Sequence, residues 1–190
     1  MFSYYYLRIY KIKLIMSNIL LKDKIILIDN FLSESECCKY INEIYERKTV
    51  RNFTSVGKFK NEKYIDEILS IFFFDKLKNF IQNKSLIIKP NNIIMTGKYS
   101  PNEHFGMHLD TGLYYDKIKK EKSKFTLLVY LNDNFDGGET CFYDNNLNFI
   151  LSVKPKKSMA LLFDIDLWHK GNEVINGEKY WIGCEIIGKF

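Results

Sequence analysis

Arginine is almost missing from this chain. Only Arg8, Arg47 and Arg51 occur among 190 residues, and none follows position 51. The 28 basic residues are therefore nearly all lysine, interspersed with 23 acidic ones, for a formal charge of +5. A polyanion-binding face needs clustered basic side chains, so no nucleic-acid partner is expected. Cysteine is also sparse: Cys37, Cys38, Cys141 and Cys184 include no CxxC pair. That argues against a disulfide framework or a zinc site, and all four read as buried, apolar-like thiols of a cytoplasmic protein. Long apolar runs are lacking too. The stretch Leu14 to Leu21, bounded by Lys13 and Lys22, is too short to cross a bilayer, so no transmembrane segment is expected. Residues 1–23 read as an N-terminal extension, with Met16 as an alternative start. With no internal repeat or low-complexity linker, residues 24–190 read as one domain. Nothing in the composition speaks to oligomeric state.

Apolar residues are plentiful at 46%, with 16% aromatic, enough for a sizeable core. Ile25-Ile-Leu-Ile28 reads as a short buried strand. Ser33 and Glu36 form a capping box ahead of Cys37, Cys38, Ile41, Ile44 and Tyr45 at helical spacing. After a polar loop, Tyr64, Ile65, Ile68, Leu69, Phe72, Leu77, Phe80 and Ile81 predict a second helix, so helices are expected across 33–83. From residue 86 to 190 the apolar segments are short, β-branched or aromatic, and separated by Asn, Asp, Gly and Pro. They are 93–99, 104–109, 125–131, 139–143, 148–153, 158–163, 167–171 and 180–187. Such a series predicts a mainly β fold with N-terminal helices, its core a sandwich or barrel of jelly-roll type. The Lys-rich stretch 111–124 is expected to be a solvated loop, with Tyr114 or Tyr115 placed to cover a substrate.

Histidine is as scarce as arginine, and only His104, His108 and His169 occur. His108 and Asp110 are two residues apart, which on a strand puts both side chains on one face. Two imidazoles and one carboxylate make the facial triad of non-heme Fe(II) oxygenases, which His169 completes if its strand neighbours the first. Taken alone, His108-Leu-Asp110 reads as a surface-loop histidine beside an acidic residue. His104 and His108 have zinc-helix spacing, but Gly106 weakens a helix and Phe105 stands where a protease would need Glu, so His104 reads as a strand or loop residue.

Four blocks in order change that balance. They are Tyr99-Ser-Pro-Asn-Glu-His-Phe-Gly-Met-His108-Leu-Asp110, Tyr130-Leu-Asn-Asp-Asn-Phe-Asp-Gly-Gly-Glu-Thr140-Cys-Phe, Pro155-Lys-Lys-Ser-Met-Ala-Leu-Leu-Phe163, and His169 followed by Gly177-Glu-Lys179-Tyr-Trp-Ile182. From about residue 25 to the end, the chain resembles the prolyl 4-hydroxylase-like Fe(II)/2-oxoglutarate-dependent dioxygenases. The resemblance implies a double-stranded β-helix core, a cupin-like jelly roll. It implies that His108, Asp110 and His169 bind Fe(II), that Lys179 pairs with the distal carboxylate of 2-oxoglutarate, and that Tyr99 and Thr140 hydrogen-bond the same carboxylate. His108, Asp110, His169 and Lys179 would then be the catalytic set. The implied reaction consumes O2 and 2-oxoglutarate, hydroxylates a C–H bond of a peptide or protein, proline being the expected target, and releases succinate and CO2. L-ascorbate is the implied reductant. A buried dicarboxylate needs a fixed cation and hydrogen-bond donors in any case. Relatives acting on nucleic acid anchor with arginine, which this chain lacks beyond Arg51. Hydroxylation of another side chain or a small molecule stays open, as does an inactive jelly-roll binding module. Three departures bear on the substrate: Asn102 and Ser158 replace family glycines, and Glu185 stands near a family tryptophan.

Overall fold

Ala160-Leu-Leu-Phe163 is buried at every position, so this strand must be covered on both faces. The computed structural model, which describes residues 24–47, 50–54, 57–81 and 87–189, shows what covers it. The element order is β1 (Ile25–Ile28), α1 (Glu34–Glu46), β2 (Val50–Thr54), β3 (Gly57–Ile65), α2 (Glu67–Lys78), β4 (Lys89–Tyr99), β5 (His104–His108), β6 (Tyr115–Asp116), β7 (Glu121–Tyr130), β8 (Asp136–Gly137), β9 (Thr140–Tyr143), β10 (Phe149–Val153), β11 (Ala160–Asp164), β12 (Trp168–Gly171), β13 (Val174–Asn176) and β14 (Lys179–Lys189). The main path of pairing runs β1-β11-β7-β14-β4-β3-β5-β12-β9-β10. β3 joins the two halves because its far end pairs with β4 and its start with β5. The sheet is thereby rolled into the jelly roll that the family resemblance implies.

Strand parity sorts the core into two layers. Ala160, Leu162, Leu127, Val129, Ile182, Cys184 and Ile94 turn outward and pack with Cys37, Tyr40, Ile44, Phe73 and Leu77 of the two helices. Leu161, Phe163 and Tyr130 turn inward and meet Phe142 and Val153 from the opposite half. Both helices are capped as their sequences require. Ser33 Oγ accepts from Glu36 N at 3.2 Å while Ser33 N donates to Glu36 Oε2 at 2.6 Å. Asp66 Oδ1 accepts from Leu69 N at 2.9 Å and starts α2.

Several expectations need correction. The polar loop and the start of the second helix are instead a β-hairpin, β2 paired to β3, in which Tyr64 and Ile65 are strand residues. α2 ends at Lys78, so Phe80 and Ile81 lie beyond it. The stretch 111–124 is not a loop throughout: Tyr115 and Asp116 pair with Lys122 and Glu121, and the Ser123 amide donates to the Tyr114 carbonyl. Cys38 is exposed, because it falls on the outer side of α1, whereas Cys37, Cys141 and Cys184 are buried. Leu27 is also exposed, since β1 is the edge of the sheet. The extension 1–23 and the start of the β segment at residue 86 lie outside the described residues. No helix among the described residues is long and apolar enough to cross a membrane.

Candidate active site

β5 and β12 are neighbours, and their register sets His108 directly opposite His169. β5 ends at His108, so Asp110 sits just beyond the strand rather than on it. Its Oδ1 still lies 3.6 Å from His108 Nε2 and 3.8 Å from His169 Nε2. All three ligand atoms fall within 4.8 Å of one another, the one such metal-type group among the described residues.

The surroundings aim these ligands. His108 Nδ1 lies 2.8 Å from the Gly106 carbonyl, and His169 Nδ1 lies 2.9 Å from the Leu167 carbonyl. A carbonyl only accepts, so each Nδ1 carries the proton and each Nε2 presents its lone pair toward Asp110. Phe105 stacks on His108 with ring centroids 3.8 Å apart, and Phe163 meets His169 edge-on at 4.7 Å. Asp110 Oδ2 accepts from Thr126 Oγ1 at 2.6 Å. Burial pushes the Asp110 carboxyl up, but the neighbouring His108 and His169 and the Thr126 hydrogen bond together hold it below its ordinary value, so it is ionised. Burial lowers the pKa of His169, against the pull of Asp110, and keeps its imidazole neutral, as a metal ligand must be. Two imidazoles and one carboxylate, oriented by second hydrogen bonds, fit Fe(II) with coordination positions left over.

Lys179 comes from the start of β14 and is only 4% exposed. Nζ donates to the Gly138 carbonyl at 2.6 Å and lies 5.4 Å and 5.2 Å from the ring centres of Tyr99 and Tyr130. Among the described residues no carboxylate forms an ion pair with it, and burial pulls its pKa down to about 7. Gly138 is itself built for this contact: its φ is +68°, and a Cβ there would stand 3.2 Å from Lys179 Cδ. The loop before β14 is fixed by Asn132, which donates to the Glu178 carbonyl at 2.7 Å and accepts from Tyr180 N at 2.8 Å. Tyr99 pairs opposite Lys179 in the β4–β14 register, and Thr140 Oγ1 lies 2.7 Å from Tyr130 Oη.

All six residues singled out in the sequence line one cavity of 340 Å³. Its walls are otherwise mostly apolar, with Phe59, Met95, Phe105, Leu128, Phe163 and Trp181, and Leu109, Thr111 and Lys63 are the exposed members of its lining. Tyr114 and Tyr115 do not line it. Tyr114 Oη instead reaches Glu121 at 3.4 Å and accepts from Lys89 at 3.3 Å. Three contributors were not singled out in advance. Thr126 carries no signal until β7 is placed beside Asp110, and Tyr130 and Trp181 stand inside quoted motifs without a role attached. His104 is a half-buried residue of β5 outside the metal group.

An antiparallel jelly roll that gathers two histidines, an aspartate and a buried lysine in one cavity defines an oxygenase type of site. Residues 94–184 match the 2OG-Fe(II) oxygenase superfamily, a span that runs from β4 to β14 and contains every residue of the triad and Lys179. Among solved structures, the viral collagen prolyl hydroxylase vCPH from Paramecium Bursaria Chlorella virus-1, in its 2OG complex, is 26% identical with a TM-score of 0.62, covering 87% of this chain and 97% of that one. A Pseudomonas putida prolyl-4-hydroxylase shares the fold at 14% identity and a TM-score of 0.68, over 90% of this chain and 96% of that one. A Trichoplax adhaerens prolyl hydroxylase, solved with a hypoxia inducible factor oxygen degradation domain peptide, does so at 15% identity and a TM-score of 0.63, over 97% and 92%. No curated protein matches the chain by sequence.

Proposed function

We propose that the chain hydroxylates proline in a peptide or protein, using Fe(II) held by His108, Asp110 and His169 and 2-oxoglutarate anchored by Lys179. The observation that carries this reading is the pairing of the metal-type triad with a buried lysine that forms no ion pair among the described residues, both in one cavity. The prolyl hydroxylases among its structural neighbours support the choice of substrate. Bound Fe(II) supplies the O2-dependent oxidation. In balance, a peptide C–H, 2-oxoglutarate and O2 become a peptide C–OH, succinate and CO2.

The protein's own residues set the conditions for that chemistry. Lys179 and the hydroxyl groups of Tyr99 and Thr140 fix the far carboxylate, so the keto-acid end points at the metal group. Phe105, Phe163 and Trp181 keep the cavity dry, which strengthens the Lys179 pairing. Substrate enters over Leu109 and Thr111, both exposed at the rim. L-ascorbate is the proposed reductant for iron oxidised without product. The test is turnover on proline-rich peptides with Fe(II) and 2-oxoglutarate. The expected result is succinate formation matched to the gain of one oxygen on proline, lost in His108→Ala and Asp110→Ala. Succinate with no oxidised proline would move the substrate elsewhere, and no succinate at all would overturn the enzymatic reading.

A further inference from the structure

Glu185 is a carboxylate buried to 3% exposure midway along β14, on the same strand face as Lys179 and Trp181. A buried carboxylate is costly unless its oxygens are satisfied. Here Oε2 accepts from the Leu113 backbone N at 2.7 Å and from the Ser123 hydroxyl. Ser123 Oγ in turn accepts from Tyr114 N at 3.1 Å. Two consecutive amides of the turn that follows Asp110 are thus tied to β14, one directly and one through Ser123.

The backbone is shaped to allow it. Glu185 falls at an irregularity in the β14–β4 register, between Cys184 paired with Ile94 and Ile186 paired with Pro90. Such irregularities re-aim side chains, and Pro90 has no N–H to offer the ladder. On β7, Ser123 and Thr126 are three residues apart and on a regular strand would face opposite ways. The β7–β14 register slips between Phe125 and Ser123, leaving Lys124 as the extra residue, and this restores both side chains to one face. Thr126, paired opposite Glu185, holds the Asp110 carboxylate, while Ser123 and Glu185 hold the turn behind it. Gly112 completes the turn with φ at +67° and would place a Cβ 3.4 Å from Ser123 Cβ.

We propose that Glu185, acting through Leu113 N and Ser123, is a positioning residue that braces the Asp110 turn and so sets the affinity of the metal site. This rests on the reading of His108, Asp110 and His169 as ligands. The brace spans the departure from the family's tryptophan and gives that position a task in this chain.

The test is anaerobic Mn(II) titration of the metal-free protein, followed by EPR, with amide exchange of Leu113 and Tyr114 measured without metal. Glu185→Leu keeps the bulk but removes the acceptor; it is expected to weaken Mn(II) binding about tenfold to a hundredfold, the range seen for groups that orient metal ligands. The same variant should speed exchange at Leu113 and Tyr114 while amides of α2 keep their protection. Glu185→Gln keeps an accepting oxygen and should bind within about threefold of wild type. If Glu185→Leu does not fold, Ser123→Ala, which deletes one hydroxyl, decides the matter with several-fold weaker binding and faster exchange at Tyr114. Wild-type Mn(II) affinity in Glu185→Leu, or in Ser123→Ala when that variant must decide, overturns the brace. Wild type that binds no Mn(II) overturns the metal-site reading and the brace with it, an outcome told apart from the first by the control titration.

Discussion

With Lys179 as the proposed anchor, 2-oxoglutarate binding becomes a proton-coupled event. Without ligand, its Nζ sits against Tyr99, Tyr130 and the Gly138 carbonyl, and burial pulls its pKa from 10.5 to about 7. That drop corresponds to about 5 kcal/mol disfavouring the charged form. The distal carboxylate supplies the counter-charge and restores the proton. Binding should therefore take up about 0.1 proton at pH 6, about 0.5 at pH 7 and about 0.9 at pH 8, and affinity should fall about tenfold per pH unit above 7. Stability follows the same linkage. Between pH 7 and 10.5 the unfolded chain holds a proton on this lysine that the folded chain does not. The contribution of Lys179 to ligand-free stability thus rises with pH across that window and is least favourable below it. Stabilisation by 2-oxoglutarate declines over the same range. Calorimetric titration with Mn(II) in place of Fe(II), without O2 and in buffers of different ionisation enthalpy, measures the proton directly. Lys179→Met should abolish the uptake and weaken 2-oxoglutarate binding by about 2–5 kcal/mol, the cost of leaving one buried partner unpaired. An affinity that is flat from pH 6 to 9, with no proton exchanged, refutes the neutral resting lysine, and unchanged affinity in Lys179→Met refutes Lys179 as the anchor.

Thr126→Val removes the 2.6 Å hydrogen bond to Asp110 Oδ2 and should weaken Mn(II) binding about tenfold with little change in melting temperature; unchanged affinity would mean that Asp110 is held by its turn alone. Phe73→Ala empties a fully buried site between α2 and the sheet and should cost about 3–5 kcal/mol in urea denaturation, so a loss under about 1 kcal/mol would show the helix is not docked as described. Ser158 holds a φ of +65°, while its carbonyl accepts from Phe31 N and Leu32 N. Ser158→Gly relieves a left-handed conformation worth about 1–2 kcal/mol against about 0.5–1 kcal/mol of added chain entropy, so the variant should be slightly more stable in the same assay, and a less stable variant contradicts the strain.

How much of this was legible in the sequence depends on which way a residue faces. β7, β11 and β14 were readable because they are buried along most of their length and polar turns bound them; the shorter strands were marked by their β-branched and aromatic residues between Asn, Asp and Gly. The ligands were readable because histidine is so rare here that His108 and His169 had few competitors. Lys179 is one lysine among many, and only its motif marked it; its burial and its lack of a counter-ion are tertiary facts. The two departures at Asn102 and Ser158 became intelligible only with φ values of +66° and +65°, the backbone region that explains glycine at such positions. The hairpin of β2 and β3 was misread for a different reason. Phe59, Asn61 and Lys63 alternate along β3 and all three line the cavity, so its inner face carries an amide and a charge where a core strand would carry two more apolar side chains. Apolar–polar alternation disappears under that substitution, and Tyr64 and Ile65 at the strand's end then lend their apolar character to the helix that Asp66 in fact begins. Glu185 follows the same rule, a charge on the inner face of a strand that otherwise reads as core. β4, β5, β12 and β14 also face the cavity and were read as strands, so the failure at β3 comes from its particular inner residues, which the cavity and not the core chose.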